Sequence, residues 1–128
     1  MKQQTHLGID GQWVGQIIEM SQGRARAALE ATSAMSADDR GLVHGGFTFG
    51  LADFAAMCAV NDPNVVLGAA DCRFLAPVRV GQRMFAEAEV EAEKGRRRTV
   101  KVKVEVEGVT VLEGTLACFV LDRHVLDG

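Results

Sequence analysis

Asp53 stands inside an apolar segment, Gly46 to Val60, in which Thr48 is the one other polar interruption. A carboxylate among apolar side chains loses several kcal/mol of hydration unless it is paired, hydrogen-bonded or next to water. Stability seldom explains such a residue, because a well-packed apolar side chain often serves as well. Buried carboxylates with disturbed ionisation concentrate where chemistry is done, as general bases or nucleophiles. The structural alternative is an ion pair with a neighbouring cation such as Arg73. Directly upstream lies His44-Gly45-Gly46. Free N–H groups at a helix start attract negative charge, and glycines allow close approach, which suits an oxyanion. The same glycines would equally serve a tight turn into the helix.

These residues need elements to position them. The Gly46–Val60 segment has no alternation, is rich in alanine, and stops at Asn61-Asp62-Pro63-Asn64, so it reads as a helix. A helix apolar nearly all round must be wrapped by other structure. Period-two patterns supply the wrapping sheet. From Met84 to Ala92 the even positions are apolar and Glu87, Glu89 and Glu91 are odd. From Val100 to Val106 every even position is valine. A three-residue loop, Glu93-Lys94-Gly95, keeps both apolar faces together and sets Glu87 opposite Lys101 and Glu91 opposite Arg97. Val109 to Leu121 changes phase, which predicts a bulge near Glu113-Gly114. Val65 to Val78 reads as a further strand, and Trp13 to Thr32 as two strands around Met20–Arg24. Ser33 to Leu42 is a polar loop. The class is α+β, one long central helix wrapped by a curved antiparallel sheet.

The chain has 128 residues, which suits a single domain over 1–128. Apolar residues make up 48% and charged residues 24%, an ordinary globular balance. A net charge of −3 argues against general affinity for nucleic acid. No apolar run matches a secretory signal or a membrane span. Cys58, Cys72 and Cys118 are scattered in apolar segments and read as free buried thiols in a reducing compartment, the cytoplasm. His6, His44 and His124 lack metal-ligand spacing, and no metal or cofactor is called for. His6 and His124, in polar terminal segments, read as solvated. Arg96-Arg97-Arg98, Arg79 and Arg83 could meet phosphates, but solvated turns explain them more simply.

The run His44-Gly45-Gly46-Phe47-Thr48-Phe49-Gly50-Leu51-Ala52-Asp53 resembles the signature of hot-dog-fold thioesterases of the phenylacetic-acid-degradation (PaaI-like) type. Phe74-Leu75-Ala76-Pro77-Val78-Arg79-Val80-Gly81 resembles the family's strand end, and the likeness covers roughly Gly41 to Leu121. The resemblance implies hydrolysis of an acyl- or aryl-CoA. Asp53 would activate water, the Gly45 amide would polarise the thioester carbonyl, and His44 and Gly46 would lie against the substrate. Ala69 and Asp71 stand where relatives often present Ser or Thr, and Ala76 where a basic residue is common before the proline. These departures bear on acyl specificity and CoA contacts.

Gly45 and Asp53 are eight residues apart, roughly 12 Å along one helix. One thioester cannot touch both in one chain, whereas two antiparallel helices related by a two-fold axis would bring Gly45 of one chain to Asp53 of the other. The resemblance likewise implies homodimers, often paired into homotetramers. Two other functions fit the same fold. An enoyl thioester hydratase would use a His with an acidic partner, and this helix has no His. A non-catalytic acyl-CoA-binding or sensor module would have little need of Asp53.

Overall fold

The computed structural model describes residues 1–128. A four-residue helix α1 (Gly11–Val14) precedes β1 (Gln16–Ser21) and β2 (Arg24–Glu30). A 3₁₀ turn at Ser33–Met35 and a loop lead into α2 (Gly45–Val60). Four strands follow: β3 (Val65–Phe74), β4 (Arg83–Lys94), β5 (Arg97–Val106) and β6 (Val109–Val120). They form one antiparallel sheet in the order β1-β2-β4-β5-β6-β3, so β1 and β3 are its edges. No helix is long and apolar enough to cross a membrane.

The sheet wraps α2 because its inner residues are small and apolar. Ala25 lies opposite Ala88 and Ala27 opposite Ala86 across β2 and β4, and all four are buried. Short side chains there let the helix sit close to the strands, while Val100, Val102 and Val104 of β5 and Leu112 and Leu116 of β6 fill the space beyond. The even positions of β4 from Met84 to Val90 and of β5 from Val100 to Val106 face this core as their alternation requires, whereas Ala92, beyond them in β4, is exposed. Asn61 ends α2 in the left-handed conformation (φ 55°, ψ 44°), its N–H donating to the Met57 carbonyl at 2.8 Å, and Pro63 follows.

Three local expectations are corrected. The β4–β5 loop is shorter than three residues: Lys94 already pairs with Arg97. Gly95 does take the left-handed backbone (φ 59°), but a bulge at Glu91 absorbs the odd residue. Glu87 therefore lies opposite Lys103 and Glu89 opposite Lys101, two residues from the expected register. In β6 the extra residue is Val111, not Glu113-Gly114; Val104 pairs with Leu112 and Glu105 with Thr110. Both Val111 and Leu112 are thereby buried, which is why the phase changes. Trp13 belongs to α1, not to a strand, because the Asp10 carboxylate accepts from Gln12 N–H at 3.0 Å and starts a helical turn.

Candidate active site

His44-Gly45-Gly46 and the Phe74–Gly81 segment, far apart in sequence, are stitched together. Val43 N–H donates to Val78 O and Val80 N–H to Gly41 O, both at 2.9 Å, and Leu42 bridges Arg79. His44 N–H donates to Met35 O at 2.9 Å. His44 thus stands just before α2, with an exposed imidazole that makes no capping bond. Gly45 and Gly46 open the first turn, where amide N–H groups have no acceptor within a helix. A side chain at Gly45 would lie 3.3 Å from the Phe74 ring, and one at Gly46 only 2.9 Å from the His44 ring. The glycines therefore leave two amides approachable between aromatic walls.

Asp53 lies on the same helix, on the half-exposed face it shares with Gly46 and Gly50. Its Oδ1 is buried without a hydrogen-bond partner, and no cation forms an ion pair with it. Arg73 is exposed and lies opposite Glu113 on β6, so the ion-pair alternative fails. Burial pushes the Asp53 carboxyl above its ordinary value, and the charge of His6 partly opposes that rise. Buried Cys118 on β6 is pushed up to about 12, by burial first and by Asp53 second. Cys58 is likewise pushed up to about 12 by burial. Both thiols stay neutral in ordinary conditions and are poor nucleophiles.

Two residues near these groups escaped the sequence reading. His6 is exposed, as expected of a terminal segment, yet its ring meets Phe54 edge-on at 6.3 Å and its charge reaches Asp53. Trp13 stacks at a tilt on Phe47 (6.0 Å), which meets His44 edge-on at 6.0 Å, making a row of rings near the helix start. No spacing in the sequence links either residue to α2. Among the aromatic and thioether side chains of the region, Phe54 and Met57 are core residues, while Phe74 is 57% exposed. The arginines are mostly occupied at the surface: Arg96 pairs with Asp122, Arg98 with Glu93 at 3.5 Å, and Arg83 lies over the Phe85 ring at 5.2 Å. The outer sheet face carries exposed pairs such as Arg24–Glu89 (3.1 Å) and Lys103–Glu105 (2.9 Å), worth little individually.

Residues 40–113 match the family model described as "Thioesterase superfamily", more than half of the chain. The chain belongs to the thioesterase superfamily. Its fold within that superfamily is the hot-dog fold. A structure of an uncharacterized protein from Pyrococcus horikoshii matches with 49% identity, covers 99% of this chain and 98% of that one, and has a TM-score of 0.97. A variant of the phenylacetic acid degradation protein PaaI from Thermus thermophilus matches at 30% identity, 84% and 95% coverage and TM-score 0.77. The PaaI-like resemblance is thus supported by structure as well as by sequence.

Curated relatives of this thioesterase-superfamily chain are longer proteins. A methylthioribose-1-phosphate isomerase from Aquifex aeolicus is 49% identical over 86 residues, 67% of this chain and 19% of that protein. The transcription factor FapR from Caldanaerobacter subterraneus is 29% identical over 126 residues, 98% of this chain and 62% of FapR. The chain spans less than two thirds of either.

The unpartnered carboxylate has a consequence for stability. Asp53→Ala should leave the unfolding free energy unchanged or raise it, by up to about 1 kcal/mol, since it removes a partly desolvated carboxylate and improves helix propensity. An acid whose folded-state pKa is raised stabilises fully below its unfolded value, and that contribution is lost as pH rises through the folded value. The gain from Asp53→Ala should therefore be larger at neutral pH than near pH 4. Denaturant unfolding of variant and parent at equal protein concentration checks both statements; a loss of several kcal/mol would mean that Asp53 has a stabilising partner.

Proposed function

We propose that this chain is an acyl-CoA thioesterase, a single domain over residues 1–128 that hydrolyses an acyl- or aryl-CoA to the free acid and CoA. The observation that carries the reading is the half-buried Asp53 carboxylate, its buried Oδ1 without a partner, on the helix that opens with Gly45 and Gly46. The Gly45 N–H would polarise the thioester carbonyl, an effect typically worth about 3 kcal/mol. A water would attack the carbonyl carbon as Asp53 takes its proton; the C–S bond then breaks and the CoA thiolate leaves, collecting a proton. Alternatively Asp53 attacks the carbonyl, the C–S bond breaks to expel the CoA thiolate, and water hydrolyses the resulting anhydride to the free acid and the regenerated carboxylate. His44 and Gly46 would line the substrate's thioester end.

The site is proposed to be completed by a second copy. Both groups lie on α2, roughly 12 Å apart, too far to share one thioester. The ten-residue β3 is an edge strand hydrogen-bonded on one side only, with Ala69, Ala70 and Asp71 exposed. A long unpaired edge is a template for pairing with another strand. Two β3 edges meeting antiparallel would set two α2 helices side by side, in a homodimer or a tetramer of two such pairs. Cytoplasmic location is part of the same proposal, supported by the three unpaired cysteines.

The similarity to FapR favours one second reading, a non-catalytic acyl-CoA sensor module. A panel of acyl-CoAs assayed for thiol release separates the functions. Hydrolysis releases free thiol. A sensor binds acyl-CoA without releasing it, and a hydratase consumes an enoyl-CoA while the thioester stays intact. Absence of thiol release across short, long and aromatic acyl groups would overturn the thioesterase reading.

A further inference from the structure

The groups that β3 offers at its open edge follow from its bonds to β6. Leu75 N–H donates to Val111 O at 2.8 Å, and the pairing runs unbroken from Phe74 opposite Leu112 to Ala69 opposite Ala117. Hydrogen-bonded and non-bonded pairs alternate along an antiparallel ladder. Arg73 and Asp71 therefore bond toward β6, while Ala70, Cys72 and Phe74 turn N–H and C=O to the open edge. Side chains alternate between the two faces. Phe74 lies opposite buried Leu112 and Ala70 opposite buried Leu116, so these two and half-buried Cys72 are on the core face. Asp71 and Arg73 are on the outer face, exposed and in no ion pair.

We propose that two copies of this chain join through β3 in one register, with Cys72 opposite the partner's Cys72 on the two-fold axis and Asp71 of each chain opposite the partner's Arg73. This rests on the shared site proposed above and fixes how the two chains meet. Opposed residues in a sheet project to the same face, so the axis falls on a residue. On Asp71 it would set carboxylate against carboxylate, and on Arg73 guanidinium against guanidinium; like charges directly opposed destabilise a sheet. On Ala70 it would set Asp71 against Ala69. On Cys72 it makes two opposite-charge pairs, and Ala70, Cys72 and Phe74 bond across it through the main-chain groups they present. The position of the site leads to the same residue. α2 and β3 are joined by Asn61–Asn64, and a side chain at Gly45 would meet the Phe74 ring, so the two elements run in opposite directions with Gly45 level with Phe74. Asp53 is about 12 Å along the helix from Gly45. An axis that brings Gly45 of one copy level with Asp53 of the other crosses midway, about 6 Å from Phe74. At about 3.3 Å per strand residue, that is two residues back, at Cys72.

Asp71→Arg and Arg73→Asp, each made singly in the full chain, test the register. Alone, each variant sets like charges against each other at both pairs, and in sedimentation its dimer should dissociate about tenfold more readily than the parent's, or more. Together the two variants carry complementary edges. After they are unfolded and refolded as an equal mixture, native mass spectrometry should show the mixed dimer in clear excess over both homodimers, and the excess should shrink with salt. Random pairing in the mixture, or a mixture no more associated than its components, overturns the register when the parent is itself dimeric, and leaves the shared-site reading standing. A monomeric parent overturns both. No substrate enters the measurement, so absent hydrolysis counts against the thioesterase reading alone.

Discussion

Asp53→Asn should fold and assemble as the parent does, while its thiol release from any acyl-CoA falls by about 10²–10⁴-fold, the usual contribution of a positioned general base. The amide keeps the shape of the side chain and cannot take a proton from water or attack a carbonyl. No ion pair is broken, since Asp53 has none, so a loss of activity would not be a loss of fold. Burial adds to the expectation. It raises the carboxyl's pKa toward the working range, where a base accepts protons more effectively. Initial rates measured beside a mass determination of the oligomer would check this; a variant retaining most of the parent's kcat would take Asp53 out of the chemistry.

Much of this fold was legible because its patterns are strong. Alternating Met84, Ala86, Ala88 and Val100, Val102, Val104 announce strands with one buried face, and the alanine-rich run ending at Asn61–Pro63 announces a buried helix. What escaped was register. The phase change in β6 reveals that a bulge exists without fixing it at Val111, and the bulge at Glu91 lies where β4 has left the core and both its faces are exposed, so alternation cannot place either. The candidate site divided in the same way. Asp53 and the two glycines are conspicuous because they violate local patterns, a carboxylate in an apolar helix and glycines at its start. His6 and Trp13 violate nothing where they stand in the chain. Their placement depends on long-range contacts, the hydrogen bonds of Asn61 to Lys2 and Gln4 and the Phe47 ring, that leave no periodic trace.

Hydrolysis at a site shared between two chains stands or falls on mixed dimers of Asp53→Asn and Gly45→Pro. Proline deletes the amide proposed to polarise the carbonyl, and the position tolerates it. Gly45 is the first residue of α2, where proline fits, and His44 before it already has the extended backbone (φ −61°, ψ 129°) that proline demands. The Phe74 ring, 3.3 Å from the new side chain, needs only a small shift. Each variant alone should lose at least about 10²-fold in kcat. In a mixed dimer one site would inherit Gly45 from one chain and Asp53 from the other, both intact, while its twin carries both lesions. Random reassociation of equal amounts should then restore about one quarter of the parent's activity per chain. The decisive measurement is the rate of thiol release from an acyl-CoA before and after the two inactive variants are unfolded, mixed and refolded together. A return to about a quarter of the parent rate is the predicted result; a mixture as inactive as its components would contradict the shared site.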